Sequence, residues 1–160
     1  MKQLICVACL FLILIPPSFS QRFRTIYAIG DTVTYNGKNY VARSITFQFN
    51  KPLLQDPINP TLDSIALFLE KNDSLVIEVG AHGSIQNDVS YCSKLTQRRA
   101  QTIVDFLIAK GIPQNRLVAR GYGQSKILYP KQVIQKEKDK AKQEWMHRMN
   151  RRIEFRILNQ

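Results

Sequence analysis

Between Ile45 and Ile157 the apolar residues change spacing repeatedly, from every second position to every third or fourth and back. Strict alternation turns one side of an extended strand toward a core, whereas the wider spacing lines one face of a helix. Ile45-Thr46-Phe47-Gln48-Phe49 alternates as a half-buried strand. Asn59-Pro60 then offers a cap and a first-turn proline, and Leu62, Ile65, Ala66 and Leu69 share a helical face. Leu75-Val76-Ile77-Glu78-Val79 predicts the next strand, followed by a polar loop from Gly80 to about Ser90. A long helix is predicted from Tyr91 to Lys110, with Leu95, Ala100, Ile103, Val104 and Leu107 facing inward and Gly111 terminating it. Leu117-Val118-Ala119 predicts a short strand and residues 131–148 a charged helical insertion. Ile153, Phe155 and Ile157 alternate with Arg152, Glu154 and Arg156, as in a last strand with one wet face.

The resulting order, β-α-β-α-β-(α)-β, implies a sheet with helices packed on it. It lacks the many ten-residue alternating segments of an outer-membrane barrel, so the chain forms no pore by itself. Upstream, Thr32-Val33-Thr34-Tyr35, Asn36-Gly37 and Lys38-Asn39-Tyr40-Val41 carry a hairpin signature, because Asn-Gly supplies the two positive-φ residues of a type I′ turn. Residues 21–42 are therefore expected to be a small N-terminal hairpin extension.

The first 20 residues have a different character. Lys2 precedes an almost wholly apolar run from Leu4 to Ile15, then Pro16-Pro17 and the small-residue sequence Ser18-Phe19-Ser20. This is the pattern of a signal peptide cleaved before Gln21. The run is short of the roughly 20 residues of a spanning helix. An uncleaved anchor, a buried first helix and a lipoprotein acylated at Cys9 are the alternatives. With Cys6 and Cys9 removed, Cys92 alone remains, so no intramolecular disulfide forms and stability rests on the core. One cysteine and two histidines do not make a zinc site, and neither metal nor cofactor is expected.

Of 160 residues, 44% are hydrophobic and 22% charged, enough for one globular domain with a real core. The net charge is +11, of which one charge leaves with Lys2. In a cytoplasmic protein this would suggest nucleic acid. Outside the cytoplasm it suggests an anionic wall polymer, lipid headgroups or an acidic protein partner, and nucleic acid is not expected. Nine basic and four acidic residues lie between Lys131 and Arg156.

Several separated motifs, in order, resemble the OmpA/MotB C-terminal family. They are Ile77-Glu78-Val79-Gly80-Ala81-His82 with Tyr91 and Lys94-Leu95-Thr96-Gln97-Arg98-Arg99-Ala100, then Gly111-Ile112-Pro113, Arg116-Leu117, Gly121-Tyr122-Gly123 and Asn150-Arg151-Arg152-Ile153-Glu154-Phe155. Phe47-Gln48-Phe49-Asn50 looks like that family's first strand, and the resemblance covers about residues 43–158. It implies an OmpA-like α+β domain over residues 43–160, a small mixed sheet with helices on one face. Such a domain binds peptidoglycan non-covalently, through the diaminopimelate of the stem peptide, in the periplasm near the outer membrane or cell wall.

That ligand is a zwitterion, so its pocket needs fixed cations and an acceptor. The resemblance assigns the family's helix Arg to Arg99, the Arg before the last strand to Arg151, and the Asn closing the first strand to Asn50. The loop Asp falls on Ser84 and a helix Asn on Cys92, two departures from the family pattern. The family's loop Gly falls on Asn87. Asp88, in the same loop, is the candidate to supply the absent carboxylate. His82 with Cys92 invites a nucleophile reading, but no orienting group or oxyanion site accompanies them, so no enzyme is expected. The expected function is a wall-binding module. The alternative is a degenerate domain that scaffolds an envelope protein complex without binding peptidoglycan.

Overall fold

The computed structural model describes residues 39–56 and 59–158. The segment expected to be a signal peptide, the expected first hairpin arm and its Asn36-Gly37 turn lie outside the described residues. Four strands form one sheet: β1 (Asn39–Ala42), β2 (Ile77–His82), β3 (Leu117–Gly123) and β4 (Ile153–Ile157), in the order β1-β4-β2-β3. β2 and β3 run parallel, and β4 is antiparallel to both β1 and β2. The helices are α1 (Pro60–Lys71), α2 (Val89–Ala109), α3 (Lys131–Lys136) and α4 (Lys140–Asn150). The sheet is mixed and the fold α+β, as expected. Among the described residues no helix is long and apolar enough to cross a membrane.

Local chemistry sets the helix ends. The Asn59 side chain accepts from the Thr61 and Leu62 amides at 3.1 and 3.2 Å, and Pro60 occupies the first turn of α1. Leu62 and Leu69 of α1 and Ala100, Ile103 and Leu107 of α2 are essentially inaccessible. They pack with Val79, Ala81, Ile153, Phe155 and Ile157 of the sheet in one apolar core. Gly111, with φ of 93°, ends the α2 segment in the left-handed region, where glycine has no Cβ penalty.

Three expectations need correction. The segment 45–49 is not a strand of the sheet. Its only ladder pairing is a single bridge between Phe47 and Leu54, flanked by amide bonds from Gln48 to Leu53 and from Gln55 to Thr46, both 2.9 Å. The chain turns back at Asn50, whose φ of 53° asparagine tolerates, and this leaves Phe49 90% exposed. The sheet edge beside β4 is instead occupied by β1, which lies in the segment assigned to the extension, with Tyr40 and Ala42 in the core. The second and third strands also extend beyond their predicted ends, so that His82 and Gly121-Tyr122-Gly123 lie within strands. Finally, the 131–148 helix is two helices. Asp139 begins a new one by accepting from the Ala141 and Lys142 amides. The two helices are anchored by buried Ile134, Met149 and Asn150, while Trp145 stays 42% exposed against Tyr129.

The face of the sheet opposite the core is polar. Glu78 is buried there and accepts from Tyr122 Oη at 2.6 Å, Arg156 Nη2 at 2.9 Å and Arg120 Nε at 3.1 Å. Beside it, Glu154 pairs with Arg152 Nε at 2.7 Å, and its other oxygen lies 3.4 Å from His82 Nε2, at the outer limit of a hydrogen bond. Burial alone would raise the Glu154 pKa; the His82 and Arg152 contacts outweigh it and hold the carboxyl at about 2. A depressed carboxyl pKa contributes stability above the unfolded value of about 4.3, and this is lost as pH falls toward the folded value. Chemical denaturation of wild type should therefore show stability falling between pH 4.5 and 2, and Glu154→Gln should flatten that slope. An unchanged slope would remove Glu154 from the acid response.

Candidate functional site

A cleft of about 690 Å³ opens beside the β2 and β4 ends of the sheet. Its walls are the 45–50 turn, the loop after β2, the first half of α2 and the end of α4. The loop and helix meet because of two contacts. The Gly83 amide donates to the Gly123 carbonyl at 2.7 Å, and the Gly123 amide donates to Thr96 Oγ1 at 2.9 Å. A Cβ on Gly83 would lie 2.1 Å from Cys92 Sγ, so any other residue would force the thiol or the loop to move away from this depth against α2.

Five of the six residues singled out in the sequence line this cleft: Asn50, Ser84, Cys92, Arg99 and Arg151. The sixth, Asp88, does not. It caps α2 instead, accepting from the Tyr91 amide at 3.0 Å, and that bond holds its exposed carboxyl below the usual range. An N-cap position and a pocket position compete for one short side chain, and here the four unpartnered amides of the helix end prevail.

Arg99 is half-buried. Its Nε donates to the Lys51 carbonyl at 3.1 Å and its Nη2 to that of Gln48 at 3.4 Å, while the guanidinium lies 4.9 Å over the Phe47 ring. It thus holds the 47–51 turn closed as it faces the cleft. Burial lowers its pKa, and the Arg151 charge nearby acts in the same sense. Arg151 extends both terminal nitrogens to side chains, Nη1 to Gln86 Oε1 and Nη2 to Glu144 Oε1. Asn50 contributes its backbone carbonyl to Tyr91 Oη at 3.2 Å. Ser84 is buried, with Oγ 2.8 Å from His147 Nδ1. Cys92 is also buried, and desolvation raises its thiol pKa, which keeps it protonated and poorly nucleophilic.

Other lining residues had not been singled out as site residues: Arg43, Gln86, Glu144 and Arg148, besides the strand-end His82 and Arg152. Glu144, Arg148 and Arg151 are spaced by four and three positions, which places them along one helical face. That spacing is the available signal in a segment expected only to be a charged helical insertion. Arg152 is fully engaged, by Glu154 and by the carbonyls of Asn150 and Lys126. Five arginines and a single carboxylate, Glu144, leave the cleft strongly cationic.

The profile of the OmpA family matches residues 46–141 of the sequence. The chain belongs to the OmpA family. Arg99 and Ser84 fall within the matched segment, whereas Glu144, Arg148 and Arg151 lie beyond it. Outer membrane protein A of Klebsiella aerogenes is 36% identical over 92 residues, covering 55% of this chain and 26% of that protein. The OmpA-family chain thus spans about a quarter of the length of that relative. Among solved structures, a putative MotB-like protein from Desulfovibrio vulgaris superposes with a TM-score of 0.67 at 16% identity, covering 86% of this chain and 85% of the other. The peptidoglycan-associated lipoprotein from Burkholderia pseudomallei gives 0.58 at 19% identity, covering 75% and 89%. At such identities these neighbours establish the fold of this OmpA-family domain.

The tight Gly83–Cys92 approach makes a test of how the cleft floor is built. Gly83→Ala should cost about 1–3 kcal/mol in urea unfolding, as overpacking against a neighbour does. Adding Cys92→Ala should recover part of that loss, because it removes the sulfur that the new methyl meets. Strict additivity of the two substitutions would contradict the described contact.

Proposed function

We propose that this chain is a non-covalent, non-catalytic peptidoglycan-binding module of the cell envelope. Its cleft takes the diaminopimelate-bearing stem peptide. One observation carries the reading: Arg99 and Arg151, 52 positions apart, face the same cleft. A guanidinium fork suits a carboxylate, and two of them converging form a seat for an anionic group rather than a surface ornament. The family, and a structural neighbour that is itself a peptidoglycan-associated lipoprotein, support a peptidoglycan-binding role at the level of the family.

In this reading residues 1–20 are a signal peptide and residues 21–42 an extension that lends β1 to the sheet. Residues 43–160 complete the domain, with the charged helical insertion at 131–148. The module then works in the periplasm, at the cell wall or beside the outer membrane, with an outer-membrane or envelope protein as the second candidate partner. A scaffold that no longer binds the wall is favoured by one observation, that the Ser84 hydroxyl is turned to His147 in a loop without its carboxylate.

Co-sedimentation of the purified protein with sacculi separates the two. Wild type should pellet with the wall, and Arg99→Ala should weaken binding at least tenfold, since loss of a charged partner costs about 2–5 kcal/mol. Thermal melts should accompany the assay, because Arg99 also holds the 47–51 turn. No pelleting of wild type, with binding gained by Ser84→Asp, would favour the scaffold and overturn the wall-binding reading.

A further inference from the structure

Glu144 is the one acidic side chain lining the cleft, and it lies on Arg151 Nη2 while the Gln86 amide oxygen takes Nη1. Both ends of the Arg151 fork therefore hold oxygens, in the two-point arrangement that a single ligand carboxylate would otherwise supply. These oxygens belong to long side chains at the surface: that of Glu144 is 59% exposed and Gln86 is exposed too. Arg99 is held differently, by backbone carbonyls that cannot rotate away. An exposed ion pair contributes little, so exchanging one carboxylate for another on Arg151 is nearly neutral. Arg148, one helical turn after Glu144, also lines the cleft and has no ion pair among the described residues. A Glu four positions before a basic residue is the favourable orientation for pairing along a helix.

We propose that Glu144 is a built-in occupant of the ligand seat. Its carboxylate holds Arg151 in the empty protein and swings to Arg148 when a ligand carboxylate arrives. The inference rests on the stem-peptide reading of the cleft and specifies the group that Arg151 receives, a free carboxylate. Glu144 is thus a competitor of the ligand and not an acceptor for its ammonium group.

Calorimetric titrations of the full chain with two probes test this: a soluble stem tripeptide ending in diaminopimelate, and glutarate as a plain dicarboxylate. Glu144→Gln should tighten both by about two- to fivefold, the range of an exposed ion pair. The gain should vanish in an Arg151→Ala background, which distinguishes a vacated seat from a general rise in positive charge. Weaker tripeptide binding by Glu144→Gln would make Glu144 a ligand contact and overturn the proposal. So would unchanged affinities, or an equal gain without Arg151. If the tripeptide binds no variant while glutarate shows the Arg151-dependent gain, the peptidoglycan reading fails and the Glu144 seat stands. No binding of either probe by any variant removes both.

Discussion

Everything at the cleft depends on how closely α2 can lie against the parallel strands β2 and β3. A Cβ on Gly121 would fall 2.2 Å from the Gln97 amide nitrogen, so helix and strand backbones are in contact there. Gln97 makes use of this closeness, accepting from the Gly121 amide at 2.6 Å and donating to the Ala119 carbonyl at 3.2 Å. β3 is an edge strand, and these bonds from the helix satisfy groups that would otherwise be left open. The residue before it, Thr96, bonds the Gly123 amide, and one turn earlier Cys92 packs on Gly83. This seam fixes the rotation of α2. With Thr96 and Cys92 turned inward, Arg99 is brought to the cleft rim.

The other half of the site is fixed by a buried amide. Asn150 is wholly inaccessible and accepts from the Leu128 and Tyr129 amides at 2.8 and 2.9 Å while donating to the Tyr129 carbonyl. A buried side chain with three satisfied bonds holds its neighbours firmly. It ties the end of α4, immediately before Arg151, to the loop ahead of α3. The two arginines differ in consequence. Arg99 is built into the scaffold through backbone carbonyls, whereas Arg151 meets only side chains that can move. The first supplies a fixed charge and the second an exchangeable one.

Much of this was legible in the sequence, for physical reasons that differ by element. The Asn59 cap, the inward face of α2 and the β4 alternation are local patterns, and each appears where its chemistry put it. The 45–49 segment misled because alternation reports which side chains are apolar, not whether a partner strand is available. β1 had already filled that edge of β4. Asp88 misled because its role as a helix cap and as a pocket carboxylate look alike in sequence. Glu144 was missed because a charged run ordinarily means a solvated face, and its inward neighbour Arg151 belongs to the following segment. What remained hidden was tertiary: which surfaces the two short helices of the insertion would bring to the β2 loop.

The central claim is that one cleft, between α2 and α4, receives the stem peptide. Mapping the amide and arginine Nε–Hε resonances of the protein during titration with a diaminopimelate-containing stem peptide tests it most directly. The account predicts saturable shifts at Arg99, Arg151, Ser84 and Cys92, with the polar sheet face around Glu78 and Arg120 unmoved. Shifts confined to that face, or to the exposed lysines of the insertion, with the cleft silent, would contradict it.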